Sequence, residues 1–157
     1  MYSLLLAIIY MAFISLGLAD ALLGSAWPVM HGQLGVPIAF AGIVSMTIAA
    51  GTITSSLFSD RLIKKMGTRL VVVLSVCTSV VALFGFSFSG SFLMLLLFAF
   101  PYGLGGGALD ATINSYVAVN YKSRHMNWLH CFWGVGAMIS PYIMGFYLTH
   151  GFGWATG

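Results

Sequence analysis

Apolar residues fall along this chain in five long runs, at positions 4–30, 38–59, 70–88, 92–120 and 127–149. None of the runs alternates apolar with polar as a half-buried strand would. Each is close to or beyond the roughly 20 residues that a helix needs to cross the hydrocarbon of a bilayer. Polar or helix-breaking residues separate them: Gly32, Gly35 and Pro37 after the first, and Ser89-Gly90-Ser91 after the third. Pro28 sits near the end of the first run and Pro101 inside the fourth. Only helices and closed barrels satisfy their backbone in lipid, and these runs are too long for barrel strands. The pattern therefore predicts an all-α integral membrane bundle of five transmembrane helices. The first run is expected to be a retained helix, because no basic residue precedes it and it far exceeds the roughly 7–15 residues of a signal-peptide core.

Composition strengthens this reading. Of the 157 residues, 60% are hydrophobic and 6% are charged, whereas a soluble domain carries roughly a quarter charged residues. The net charge of +3 comes from six basic and three acidic residues, too thin a basic surface for nucleic acid. Placement matters more than the sum. Arg61, Lys64, Lys65 and Arg69 lie between runs two and three, and Lys122 and Arg124 between runs four and five. With alternating spans both segments face one side, which the positive-inside rule makes the cytoplasm. The chain is thus expected to be a multi-pass cell-membrane protein with a cytoplasmic N-terminus. Its compact loops point to a bacterial inner membrane. Tyr2, Tyr121 and Trp128 near the cytoplasmic ends, with Trp27 and Trp154 near the outer ones, resemble an aromatic belt. Cys77 and Cys131 are expected to be buried small side chains, and they signal neither a disulfide framework nor a metal site. No cofactor is implied.

Polar groups inside the apolar runs carry the candidate chemistry. Asp20 lies in the first run and Asp110 in the fourth. A carboxylate at mid-membrane costs about 2.5–3.5 kcal/mol on insertion scales, so such residues usually mark an ion or substrate path. The competing reading is a hydrogen-bonded structural carboxyl between helices. Asn114 follows Asp110 by one turn and shares its face. Gly103 and Gly107 form a G-x-x-x-G, whose simplest meaning is close helix approach. Asp20, Gly24 and Trp27 share a face of the first helix, where Trp27 suits either stacking on a sugar ring or anchoring at the interface. In the fifth run Asn127, His130 and Gly134 share a face, with Trp133 beside them. His130 suits a proton relay, a hydrogen bond to substrate hydroxyls, or a structural bond to a neighbouring helix. The sequence contains no H-E-x-x-H, G-x-S-x-G or phosphate loop. Neither aspartate sits in an aspartyl-protease-like sequence, so no catalytic or metal-ligating set is expected.

The segment Ser56-Leu57-Phe58-Ser59-Asp60-Arg61-Leu62-Ile63-Lys64-Lys65-Met66-Gly67-Thr68-Arg69 resembles the loop 2–3 signature of the major facilitator superfamily, roughly G-x-x-x-D-R-x-G-R-[RK]. Ser56 stands at the opening glycine, and Gly67 comes late. Gly103-Leu104-Gly105 with Leu109-Asp110-Ala111-Thr112-Ile113-Asn114 resembles the fourth span of fucose permease-like transporters. The stretch Asn127 to Ala137 is similar to their fifth span, roughly N-x-x-[QH]-x-F-x-x-x-G-A. The segment from Gly136 to Gly145, with Pro141, resembles a glycine-proline pattern linked with antiporters, but Ser140 and Met144 replace two of its glycines. That departure favours a symporter or uniporter.

The resemblance implies proton-coupled symport of a sugar or polyol by alternating access, without a cofactor. Asp20, Trp27, Asp110, Asn114, Asn127 and His130 would bind substrate or couple protons. Asp60, Arg61, Lys64, Lys65, Gly67 and Arg69 would form a cytoplasmic gate. The acidic residue that such transporters carry in span one, four before a proline, corresponds here to Gly24, with Asp20 one turn earlier. Transporters of this kind have two six-span halves. Residues 1–157 are then expected to be an incomplete N-terminal bundle that needs a C-terminal half or a partner chain. Two other readings stay open: an exporter of the same superfamily with a non-sugar substrate, and a non-transporting membrane scaffold.

Overall fold

A computed structural model describes the backbone of residues 2–156 and the side chains of residues 4–155; Tyr2, assigned above to the aromatic belt, has its side chain outside the described residues. Five α-helices follow one another: α1 Tyr2–Gln33, α2 Ala41–Met66, α3 Thr68–Ser87, α4 Phe92–Asn120 and α5 Ser123–Thr149. One-turn 3-10 helices stand at Ile38–Phe40 and Trp154–Thr156. All five long helices are long and apolar enough to cross a membrane. Pro28, Pro101 and Pro141 lie inside α1, α4 and α5, a placement common in membrane helices.

Two helices exceed their apolar runs. α2 continues through Asp60, Arg61, Lys64 and Lys65 to Met66, so most of the basic segment between spans two and three is helix. Arg, Leu, Ile, Lys and Met all tolerate helix, and the polarity of the segment does not stop it. Gly67 does: its φ of 81° and ψ of 150° lie in a region open essentially to glycine alone. α5 begins at Ser123, four residues before the apolar run, and includes Arg124 and His125.

The chain divides into two compact units: a terminal unit, Met1–Met30 with Val117–Gly157, and a middle unit, His31–Tyr116. In the terminal unit, α1 and α5 run in the same direction. Tyr10 meets His125, Phe13 meets His130, and Gly17 meets Trp133, so contacts advance along both helices together. Two glycines make the approach possible. A Cβ at Gly17 would run into the Trp133 carbonyl, and one at Gly136 into the Ile14 carbonyl. Without a hydrophobic drive between helices in lipid, such close backbone contact is a principal source of association.

The middle unit packs three helices. α4 runs parallel to α2, with Gly103 against Ile48 and Gly107 against Thr52. It runs antiparallel to α3, with Gly105 against Ser75 and Ser79, and Gly85 against the Phe98 ring. Gly51 completes the α2–α4 seam against the Phe100 carbonyl. The G-x-x-x-G of α4 is therefore a packing device, as its simplest reading had it. Val44, Val71, Ala82, Leu95 and Ala99 fill the core. Large apolar side chains such as Met46, Leu57, Val81 and Leu97 point outward, which suits lipid as the surrounding solvent. Outward hydroxyls are satisfied locally: Thr47 donates to Ile43 O at 2.8 Å, Thr54 to Ala50 O at 2.7 Å and Thr78 to Leu74 O at 2.8 Å.

Cys77 and Cys131 are free and exposed, contrary to the expectation of burial. In a membrane protein an apolar neighbourhood does not imply the bundle interior, because the outward face is apolar too.

Candidate functional site

The terminal unit holds Asp20, Trp27, Asn127 and His130. Asp20 is exposed on α1, and its Oδ2 accepts a hydrogen bond from Trp133 Nε1 on α5 at 3.0 Å. The Gly17 contact, one turn earlier on α1, brings the helices close enough for this reach. Asp20 thus ties two helices together while its side chain stays exposed. Asn127 and His130 are exposed on α5. The His130 ring meets Phe13 edge-on, with centroids 6.1 Å apart. Trp27 is 5% exposed, so its ring is not presented on the outer face as a lipid-facing anchor would be. Trp128, at 54% exposure, does sit on the surface.

The sequence singled out Trp133 only as a neighbour of His130, and gave His125 no role. The Trp133–Asp20 bond spans 113 positions, and only the α1–α5 register reveals it. Likewise Tyr10 Oη and His125 Nδ1 lie 2.7 Å apart, joining the first turns of α5 to α1. Tyr121 stands edge-on to the same imidazole, centroids 5.7 Å apart.

The middle unit holds Asp110 and Asn114. Asn114 Nδ2 donates to Asp110 Oδ1 at 2.9 Å, along one turn of α4. Both side chains are half-buried. Asn114 Oδ1 is buried and accepts no hydrogen bond among the described residues. An unpaired buried acceptor costs about 1–3 kcal/mol. The hydroxyls of Ser79, Thr112 and Ser140 are in the same condition, but Asn114 is the one that adjoins a carboxylate.

The segment that resembles the gate motif sits at the α2–α3 junction. Asp60, Arg61, Lys64 and Lys65 occupy the last turns of α2, Gly67 breaks the helix, and Arg69 stands in the first turn of α3. The Arg61 guanidinium lies over the Phe58 ring, 5.7 Å from its centroid, a distance at which a cation and an aromatic face attract. Among the described residues no three His, Cys, Asp or Glu side chains are grouped to hold a metal ion.

Two known proteins are similar over most of the chain. The Glucose/mannose transporter GlcP of Bacillus subtilis is 23% identical over 141 residues, which cover 88% of this chain and 35% of that protein. Bypass of stop codon protein 6 of Saccharomyces cerevisiae is 25% identical over 142 residues, covering 88% of this chain and 29% of that protein. The chain therefore spans about a third of the length of these curated relatives. The family match itself extends from residue 9 to residue 157. Together with five membrane-length helices, it places the chain in the Major Facilitator Superfamily, a family of multi-pass membrane transporters rather than enzymes.

Proposed function

We propose that this chain forms the N-terminal part of a transporter that moves a small polar solute, a sugar or polyol, by proton-coupled symport with alternating access. The observation that carries the reading is the Asp110–Asn114 pair, a carboxylate and an amide hydrogen-bonded on a membrane helix with a buried amide oxygen left over. A hydroxyl-rich solute supplies the donor which that oxygen lacks, and its other hydroxyls can donate to the carboxylate. The resemblance of α4 and α5 to fucose permease-like spans supports the same substrate class, as does similarity to a protein named a glucose/mannose transporter.

In this reading Asp110 and Asn114 bind substrate hydroxyls. Trp27, Asn127 and His130 are the terminal unit's own candidates for binding substrate or coupling protons. Asp20 exchanges the proton, its carboxylate being held in place by Trp133. Asp60, Arg61, Lys64, Lys65, Gly67 and Arg69 form the cytoplasmic gate. The parallel course of α2 and α4 supports a shared side for the basic connections that follow them, hence a cytoplasmic N-terminus; the compact loops favour a bacterial inner membrane. The opposing wall needed for alternating access comes from helices beyond these residues, in a longer chain or a partner.

Uptake of radiolabelled glucose, fucose and a polyol by cells that express the complete transporter tests the proposal. Asp110→Asn is expected to lower uptake by roughly 10- to 100-fold, the loss of one charge-assisted hydrogen bond. Asp20→Asn is expected to flatten the dependence of uptake on external pH. Unchanged uptake and unchanged pH dependence in both variants would sink the roles given to the two carboxylates, and uptake no higher than in control cells would favour a scaffold. Uptake falling while a preloaded solute is retained would favour the exporter.

A further inference from the structure

Val119, Asn120, Tyr121, Lys122, Arg124 and His125 line an open cleft of about 400 Å³ where α4 gives way to α5. Lys122 and Arg124 are the only lysine and arginine of the terminal unit, and both are exposed. Its only acidic side chain is Asp20, ten residues along α1 from the Tyr10 that meets His125. Ten residues of helix span about 15 Å, so no side-chain carboxylate of this unit neutralises the cleft. His125 is held there from two sides, by the Tyr10 hydroxyl at 2.7 Å and the edge contact with Tyr121. The result is a concave cationic site with one ring fixed in its wall.

We infer that this cleft binds the phosphate of an anionic phospholipid headgroup, held between Lys122 and Arg124 with His125 as a third donor. Arg and Lys are the side chains suited to a phosphate, Arg through its planar fork and Lys as a point charge. The surroundings favour a lipid over a free anion. The cleft sits where two membrane-length helices end and begin. Val119 in its wall is 84% exposed, and Trp128, one turn into α5, is 54% exposed. Indole rings of this kind sit at headgroup level, and basic pockets between membrane helices are suited to anionic headgroups. A ligand seated here has its charge in the cleft and its chains along the apolar flank. This site is separate from the residues proposed to handle the solute.

The test is native mass spectrometry of the full chain in detergent, titrated with phosphatidylglycerol and, separately, phosphatidylcholine. The expected result is one phosphatidylglycerol retained per chain and weak retention of phosphatidylcholine. The double variant Lys122→Gln/Arg124→Gln is expected to lower retention roughly 30-fold, each basic side chain contributing about fivefold. The charge-preserving swap Lys122→Arg/Arg124→Lys keeps most of the retention, and Lys122→Gln alone gives a graded loss even if the double variant fails to fold. Removing two charges elsewhere, by Arg61→Gln/Lys64→Gln, leaves the bound lipid in place. Equal retention of both lipids, or equal loss from the Arg61/Lys64 variant, would overturn the inference in favour of diffuse basic attraction. Displacement by inorganic phosphate at concentrations equal to those of the lipid would overturn the lipid assignment and make the ligand a free phosphate.

Discussion

The two units hold their helices together by different means. In the middle unit the contacts are mostly backbone and small side chains: Gly51, Gly103, Gly105 and Gly107 let α2, α3 and α4 touch. Its hydroxyls largely bond their own helices, with Thr52 also reaching Gly103 O at 3.3 Å. In the terminal unit Gly17 and Gly136 again permit close approach, but polar side chains then bridge the helices, Trp133 to Asp20 and Tyr10 to His125. A glycine seam is geometrically exacting and insensitive to protonation. Side-chain bridges that carry a carboxylate or an imidazole can be made and unmade. The middle unit is thus held by the fit of backbones, and the terminal unit by that fit together with hydrogen bonds between side chains.

The largest expected effects test the seams. Gly103→Val and Gly136→Val each drive methyl groups into the backbone of the neighbouring helix, at a cost of about 3 kcal/mol. Thermal unfolding of the purified protein in detergent should show both losing most of their folded population. A tolerated Gly136→Val beside a disruptive Gly103→Val would mean that side-chain bridges alone hold α1 to α5, sharpening the contrast.

A smaller difference is expected between the aspartates. Asp110→Leu leaves the half-buried Asn114 amide without its carboxylate partner, and should cost about 1–3 kcal/mol. Asp20→Leu acts on an exposed side chain and should shift the unfolding midpoint by less. The reverse order would show that the exposed pair is the structural one.

Trp133→Phe removes a single hydrogen bond between helices and keeps the ring, so about 0.6 kcal/mol is expected, typical of such bonds in membranes. Its sharper signature is functional: if Trp133 positions the Asp20 carboxylate, the pH midpoint of uptake by the complete transporter moves. Smallest of all, Gly134→Ala and Gly145→Ala place a methyl where nothing lies within 4 Å. They should be neutral within about 0.5 kcal/mol or slightly stabilising, since alanine favours helix over glycine.

Much of the architecture was legible along the chain. Five apolar runs, each near or above membrane length, leave little alternative to five helices, because a lipid-exposed backbone has to satisfy itself within the segment. Asn114 one turn after Asp110 was legible as well, since both sides of that bond belong to one helix. The end of α2 was not. An apolar run marks where lipid begins and ends, whereas a helix ends where its backbone is broken, here eight residues later at Gly67. The exposure of Cys77 and Cys131 was misread for a related reason: hydropathy separates apolar from polar surroundings and cannot separate lipid from protein core.

What the sequence by itself determined is the set of properties that depend on distance along the chain: helices of membrane length, a sided distribution of basic residues, and carboxylates placed inside apolar helices. The tertiary structure alone decided which groups meet across helices. It showed Trp133 donating to Asp20, Tyr10 bonded to His125, and Gly17 and Gly136 marking the line along which α1 and α5 touch. The physical reason is that helix periodicity tells which residues share a face, but the partner of that face depends on register between helices. That register is set by small residues that allow backbones to approach, and glycines that do so read the same in sequence as those, like Gly134, that face open space.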